Sequence, residues 1–307
     1  MFGDEFEGQT LDTRKWSTSM EFPGTHGPRY HNEYYLSYTL DDDVILHDGT
    51  LHLRTERKMV SGTEPIGLFD YSQGLITTHD KFNFTYGYLE IRAKYPGGKG
   101  LWPCFWLMPQ DDNRWPPEFD IGEYYGGQHK MHHGLAYGTM RETLWDSSGD
   151  TETDFVNEWH TLGLEWTAGH AVWNVDGIAR KTVDADYVPS VPMYVLLSNG
   201  VSSRFGPSGE PDEKTVFPND FQIDYIRIYQ QPTQLVKAEP PAGQTGHAAR
   251  TTCTPSSRSE ADHRHSPRES PAVNPAATSP GCNATTSLRR ASPSPQPRVP
   301  CRARCRS

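Results

Sequence analysis

Tyr88-Leu89-Glu90-Ile91-Arg92-Ala93-Lys94 alternates apolar with charged or polar side chains without a break. That is the period of a β-strand with one face on a core and the other on water or in a groove. Phe221-Gln222-Ile223-Asp224-Tyr225-Ile226-Arg227-Ile228-Tyr229 alternates in the same way over nine residues. Shorter β-rich segments lie at Val44 to Leu46, Thr50 to Thr55, His160 to Trp166 and Ala171 to Val175, and turn signals such as Asp48-Gly49, Pro96-Gly97-Gly98 and Asp176-Gly177 separate them. No stretch of helical period and useful length occurs before residue 230. The expected fold class is all-β: a jelly-roll β-sandwich of two antiparallel sheets, the concave one lining a cleft with polar side chains.

The alternation stops where the composition changes. Every Trp, Tyr and Phe of the 307 residues lies at or before Tyr229, and after Gln231 the chain turns to Pro, Ser, Ala, Thr and Arg. Such a segment buries too little apolar surface to offset its ordering entropy. The expected organisation is one domain over 1–231 and a disordered, low-complexity tail over 232–307. Residues 233–307 hold 11 Lys/Arg against 4 Asp/Glu, so the net charge of −10 divides into +7 on the tail and −17 on the body. An acidic body argues against nucleic acid or an anionic membrane as partner. No run of about 18 apolar residues marks a membrane span, and the charged start Met1-Phe2-Gly3-Asp4-Glu5 is not a signal peptide. Of the five cysteines only Cys104 lies in the body, which rules out a disulfide framework there.

The segment carrying the chemistry is Trp115-Pro116-Pro117-Glu118-Phe119-Asp120-Ile121-Gly122-Glu123-Tyr124-Tyr125, with three carboxylates in six residues among apolar neighbours. On a strand, positions 118 and 120 share a face, but 123 falls on the other unless one extra residue is inserted. A β-bulge supplies it, and Gly122 is the expected place, since glycine tolerates the unusual backbone angles of a bulge. Glu118, Asp120 and Glu123 then face one cleft. Two carboxyls about 5 Å apart across a glycosidic bond suit a retaining double displacement. Their repulsion raises one pKa and leaves a protonated acid beside an ionised nucleophile. A Ca²⁺-binding or solvent-facing acidic loop is the alternative, and would be expected to carry Gly, Asn and Ser with few aromatics. The residues alone leave both open.

Across about residues 2–230 the chain resembles glycoside hydrolase family 16, in its laminarinase-like branch with the bulged Glu-x-Asp-x-x-Glu motif. Glu118, Asp120 and Glu123 have that spacing. The other landmarks come in family order: Asp4-Glu5-Phe6, Asp48-Gly49-Thr50-Leu51, Tyr86-Gly87 through Lys94, Gly100-Leu101-Trp102 through Pro109, Trp159-His160 through Trp166, and Phe221 to Tyr225. The resemblance implies a concanavalin-like jelly roll and endo-hydrolysis of a β-linked polysaccharide, with Glu118 as nucleophile and Glu123 as acid/base. It further implies that catalysis needs no cofactor and that the protein is secreted; the expected assembly is a monomer. By the same resemblance Asn32, Trp106 and Trp115 match substrate-contacting positions, and Trp102, four residues before Trp106, would share its face. Their alternatives are a turn residue for Asn32 and core packing for the tryptophans.

The departures bear on substrate. Members of the branch usually carry a His before Tyr-Gly, where this chain has Ala136-Tyr137-Gly138. His133 stands near enough to take that contact, the alternative being a solvated histidine. The usual Leu-Asn-x-Ala-Val-Gly-Gly-x-Trp reads Leu197-Ser198-Asn199-Gly200-Val201-Ser202-Ser203-Arg204-Phe205. The leading expectation is cleavage of β-1,3 or mixed β-1,3/1,4 glucans; a galactan hydrolase of the agarase or carrageenase kind and a non-catalytic sugar-binding sandwich are the alternatives. Many members hold a structural Ca²⁺ at positions matching Glu5, Gly49 and Asp224, and carboxylate with carbonyl oxygen suits such a cation.

Overall fold

The computed structural model describes residues 1–20, 27–29 and 32–230; the expectation for 232–307 lies outside the described residues. Among the described residues the chain forms strands β1 (Phe2–Asp4), β2 (Ser37–Thr39), β3 (Val44–His47), β4 (Thr50–Glu56), β5 (Val60–Thr63), β6 (Ile66–Phe69), β7 (Tyr71–Gln73), β8 (Leu75–Thr77) and β9 (Gly87–Lys94). There follow β10 (Leu101–Pro109), β11 (Glu118–Tyr125), β12 (Lys130–Thr139), β13 (Glu142–Asp150), β14 (His160–Thr167), β15 (His170–Val175), β16 (Ile178–Asp184), β17 (Met193–Val201) and β18 (Asn219–Tyr229). One short 3-10 turn, Asp41–Asp43, precedes β3, and no helix of the described residues is long and apolar enough to cross a membrane.

Ten strands build one sheet in the order β16-β15-β14-β9-β18-β4-β7-β2, with β1 on β18 and β3 on β4. Six build the other, β13-β12-β11-β10-β17-β8, and β5 with β6 forms a separate hairpin. The sandwich is thus the expected one, with a difference at an edge: β2 pairs with β7 in parallel. The three-residue β2 enters ahead of the β3–β4 hairpin, so no tight turn obliges it to run against β7.

The core lies between the two sheets. Leu89, Ile91 and Ala93 of β9 and Ile223, Ile226 and Ile228 of β18 point inward, meeting Phe105, Leu107, Phe119, Ile121, Val195 and Leu197 of the smaller sheet. Trp166 and Trp173 are fully buried there, and truncating either to Ala would cost about 3–5 kcal/mol. Strand β10 is buried along its whole length, but its two faces do different things. Phe105 and Leu107 join the core, whereas Trp102, Cys104, Trp106 and Met108 join Tyr35, Leu75, Tyr194 and Leu196 in a second apolar cluster on the far side of the sheet. That second cluster floors the cleft.

Candidate active site

Strand β11 carries the three acids, and its pairing records an inserted residue. Opposite β12, Asp120 pairs with Gly134 and Glu123 with His132, so three steps along β11 match two along β12. Opposite β10, Phe105 pairs with Gly122 and Trp106 with Asp120, which leaves Ile121 as the residue passed over. Ile121 and Gly122 both turn to the core, and Glu118, Asp120 and Glu123 all line the cleft. The expected bulge is present, but glycine serves it differently. A Cβ at Gly122 would lie 2.5 Å from Leu162 Cδ2 and 2.6 Å from Tyr95 Oη, so close packing under the sheet, not a left-handed backbone, excludes a side chain here.

Three side chains from elsewhere satisfy the carbonyls of the kink. Trp173 Nε1 donates to Asp120 O (2.9 Å), His133 Nδ1 to Ile121 O (2.7 Å) and Tyr95 Oη to Gly122 O (3.2 Å). A distorted ladder would otherwise leave buried carbonyls unpaired, at about 1–3 kcal/mol each. Across the sheet, Gly134 makes room for an acid: a Cβ there would stand 2.6 Å from Asp120 Oδ2.

The acids have unlike surroundings. Glu118 Oε2 accepts from Trp115 Nε1 at 2.7 Å. Burial and, next, the charge of Glu123 push Glu118 up to about 7, against hydrogen bonds from Trp115 and Asp120 that hold it down. Asp120 is raised well above the carboxylate range, by burial first and then by both glutamates, and its Oδ2 has no hydrogen-bond partner. Its raised value favours the protonated form, which donates to Glu118. Glu123 sits among donors: Trp102 Nε1 at 2.6 Å from Oε1, and Tyr125 Oη at 2.9 Å from Oε2. His132 Nδ1 also lies 2.9 Å from Oε2.

The cleft is open, with a volume of about 660 Å³, and Asn32, Trp102, Trp106 and Trp115 line it together with the acids. Asn32 is a turn residue as well, its Oδ1 accepting from Tyr34 N at 3.0 Å. Trp102 and Trp106 are almost wholly buried, and Trp102 stacks on Tyr35 with centroids 4.5 Å apart. The indoles of Trp102 and Trp115 therefore orient glutamates through N–H groups. More exposed aromatic faces belong to residues not singled out in the sequence, Trp145 (47%), Phe205 (60%) and Tyr34 (43%), which line the same cleft. Phe205 stands in the segment whose departure from the family pattern was visible; Trp145 lies on β13, whose polar sequence gave no strand signal.

His133 requires correction. It is buried with its side chain turned to the core, neither in the cleft nor solvated, and burial holds it down at about 4 against the pull of the Ile121 carbonyl. The two-residue period places its neighbour in the cleft instead, because Glu123 pairs with His132. Nor do Glu5, Gly49 and Asp224 fit a calcium ion. Glu5 takes a bidentate pair from Arg227 (2.9 and 2.7 Å) and Asp224 a hydrogen bond from Arg92 (2.8 Å), so guanidinium groups already occupy the carboxylates a cation would need.

Residues 31–226 match the family model for glycosyl hydrolases family 16. The chain is 32% identical over 200 residues to the endo-1,3-1,4-beta-glycanase ExsH of Rhizobium meliloti (strain 1021), covering 65% of this chain and 42% of that protein. It is 28% identical over 256 residues to glucan endo-1,3-beta-glucosidase A1 of Niallia circulans, covering 74% and 37%. The chain thus spans about two fifths of the length of these relatives. Its fold overlays the catalytic domain of an endo-1,3-beta-glucanase (laminarinase) from Thermotoga petrophila RKU-1 with a TM-score of 0.63 at 27% identity, covering 75% of this chain and 96% of that one.

Proposed function

The chain belongs to glycosyl hydrolases family 16, and from that premise we propose that its body, residues 1–231, is a retaining endo-glycoside hydrolase cleaving β-1,3 or mixed β-1,3/1,4 linkages in glucans. The observation carrying this reading is the single bulged strand that delivers Glu118, Asp120 and Glu123 to one cleft. Glu118 attacks the anomeric carbon while Glu123 protonates the departing oxygen; Glu123 then takes a proton from the water that releases the glycosyl group. Asp120 hydrogen-bonds Glu118 and spreads its charge as the covalent bond forms and breaks. Protein groups supply the nucleophile and relay the protons, so the reaction asks for no cofactor. The names of the relatives, a 1,3-1,4-glycanase and 1,3-glucanases, support the choice of glucan.

The test is release of new reducing ends from laminarin, lichenan, agarose and carrageenan, repeated with Glu118→Gln. Release from laminarin or lichenan, abolished by the substitution, is the expected result. Release from the galactans alone would move the substrate class, and binding without cleavage would make the body a sugar-binding sandwich. Detection of the protein in culture medium rather than in the cell pellet would check the secretion that goes with this reading.

A further inference from the structure

We infer that His132 shares with Glu123 the proton that the reaction transfers. This rests on the reading of Glu123 as acid/base and adds a second group to it. The indole of Trp102 can only donate, so Oε1 of Glu123 is an acceptor and the acid's proton belongs on Oε2. Oε2 faces Tyr125 Oη and His132 Nδ1, each at 2.9 Å. The phenol donates, and burial and the adjoining carboxylates push its own ionisation far up, so it takes no part in exchange. Imidazole is the one side chain there that both gives and takes a proton near neutrality. Its ring is stacked on Tyr125, 5.3 Å between centroids and 20° between planes, which fixes the Nδ1 edge toward Oε2.

The rest of the surroundings leaves this pairing alone. Asp120 Oδ2 stands farther off, 3.9 Å from Nδ1, and burial and the two glutamates raise its carboxyl. On β10 the Cys104 thiol, opposite Glu123, is held neutral by burial. Lys130 precedes His132 by two positions on β12, and β13 presents Gly149 opposite, which carries no titrating group.

The protons balance over the cycle. Before glycosylation the pair holds two, one on Nε2 and one between Nδ1 and Oε2. The shared proton bonds to the glycosidic oxygen as a Glu118 carboxylate oxygen bonds to C1 and the C1–O bond breaks, its electron pair moving to the departing oxygen and leaving the pair with one proton. Deglycosylation returns a proton from water to Oε2 as the water oxygen bonds to C1 and Glu118 departs.

The consequence lies in the pH profile. With the ring present, an imidazole and a carboxylate hold the shared proton together; without it, the carboxyl holds it alone. In His132→Asn the alkaline limb of kcat/KM on glucan should move down by about one pH unit or more, while glycosylation by aryl glycosides with good leaving groups, which need no proton, keeps its rate. An unmoved limb with equal losses on both substrates would overturn the proposal and leave His132 a packing residue. His132→Gln repeats the test should the Asn variant fail to fold. In the wild type, the His132 imidazole NMR signal should titrate with the midpoint of the alkaline limb, and a midpoint elsewhere would also overturn it. Activity surviving Glu118→Gln or Glu123→Gln would sink the assignment of Glu118 as nucleophile and Glu123 as acid/base. With those controls inactive on glucan, an unmoved limb in His132→Asn counts against His132 alone.

Discussion

Gly122→Ala adds one methyl group at the point where the catalytic strand is kinked over the core. The new carbon would stand 2.5 Å from Leu162 Cδ2, 2.6 Å from Tyr95 Oη and 3.4 Å from Met131 Sδ, and all three partners are buried. Backbone strain is absent, since Gly122 does not lie in the left-handed region, so the substitution isolates crowding. Overpacking of this kind costs about 1–3 kcal/mol, which for a body of this size is a fall in Tm of about 2–12 °C. Relief requires Tyr95 to retreat, loosening its 3.2 Å bond to the Gly122 carbonyl, or the bulge to rise and carry Glu123 with it. A displacement near 1 Å costs about 10²-fold in rate. Calorimetric unfolding together with kcat on glucan reads both effects. A variant with wild-type Tm and wild-type kcat would refute the claim that the kink is seated by close packing beneath it.

Three further outcomes follow from the same geometry. Glu118 must be ionised to attack, and its carboxyl is pushed up to about 7 by burial, so kcat/KM should fall as pH drops through about 7; a profile flat down to pH 5 would contradict this. Burial raises Asp220, but hydrogen bonds from His52 and Arg54 outweigh it and hold the carboxyl down at about 2. Because the folded value is the lower one, its stabilisation, roughly 2 kcal/mol, is complete above about pH 4 and lost as pH falls through 2. Asp220→Asn should therefore unfold earlier in urea at pH 7 and converge on the wild type toward pH 2, and a gap independent of pH would count against the pairing. Trp145→Ala removes a half-exposed aromatic face from the cleft. At about 1 kcal/mol per stacked ring, KM for long oligosaccharides should rise about fivefold with kcat little changed; an unchanged KM would remove Trp145 from the binding surface.

The strands Tyr88 to Lys94 and Phe221 to Tyr229 were legible because each is half buried, and a period of two is visible wherever one face is apolar and the other polar. Parity also revealed the bulge, since 118, 120 and 123 share a face only with an insertion. What parity within one strand does not carry is the register of the next strand. Choosing between His132 and His133 requires knowing that Glu123 pairs with His132, and no local signal records that. Strand β13 was missed for a different reason: Glu142–Asp150 is largely polar and half exposed, without apolar alternation, and Trp145 went with it. Tryptophans near an acid cluster are readable as sugar platforms, but an indole N–H aimed at a carboxylate, as in Trp102 and Trp115, is set by tertiary packing. The same holds for the ion pair of Arg54 and Asp220, 166 residues apart in sequence.

The central claim is that Glu118 and Glu123, brought to one side of β11 by an inserted residue, act in succession on a single sugar. Proton NMR of the reducing-end anomer in the first minutes of β-glucan cleavage tests it most directly. The β-anomer should appear first and the α-anomer only later by mutarotation. Initial formation of the α-anomer would mean that water attacks directly, and would contradict a covalent role for Glu118.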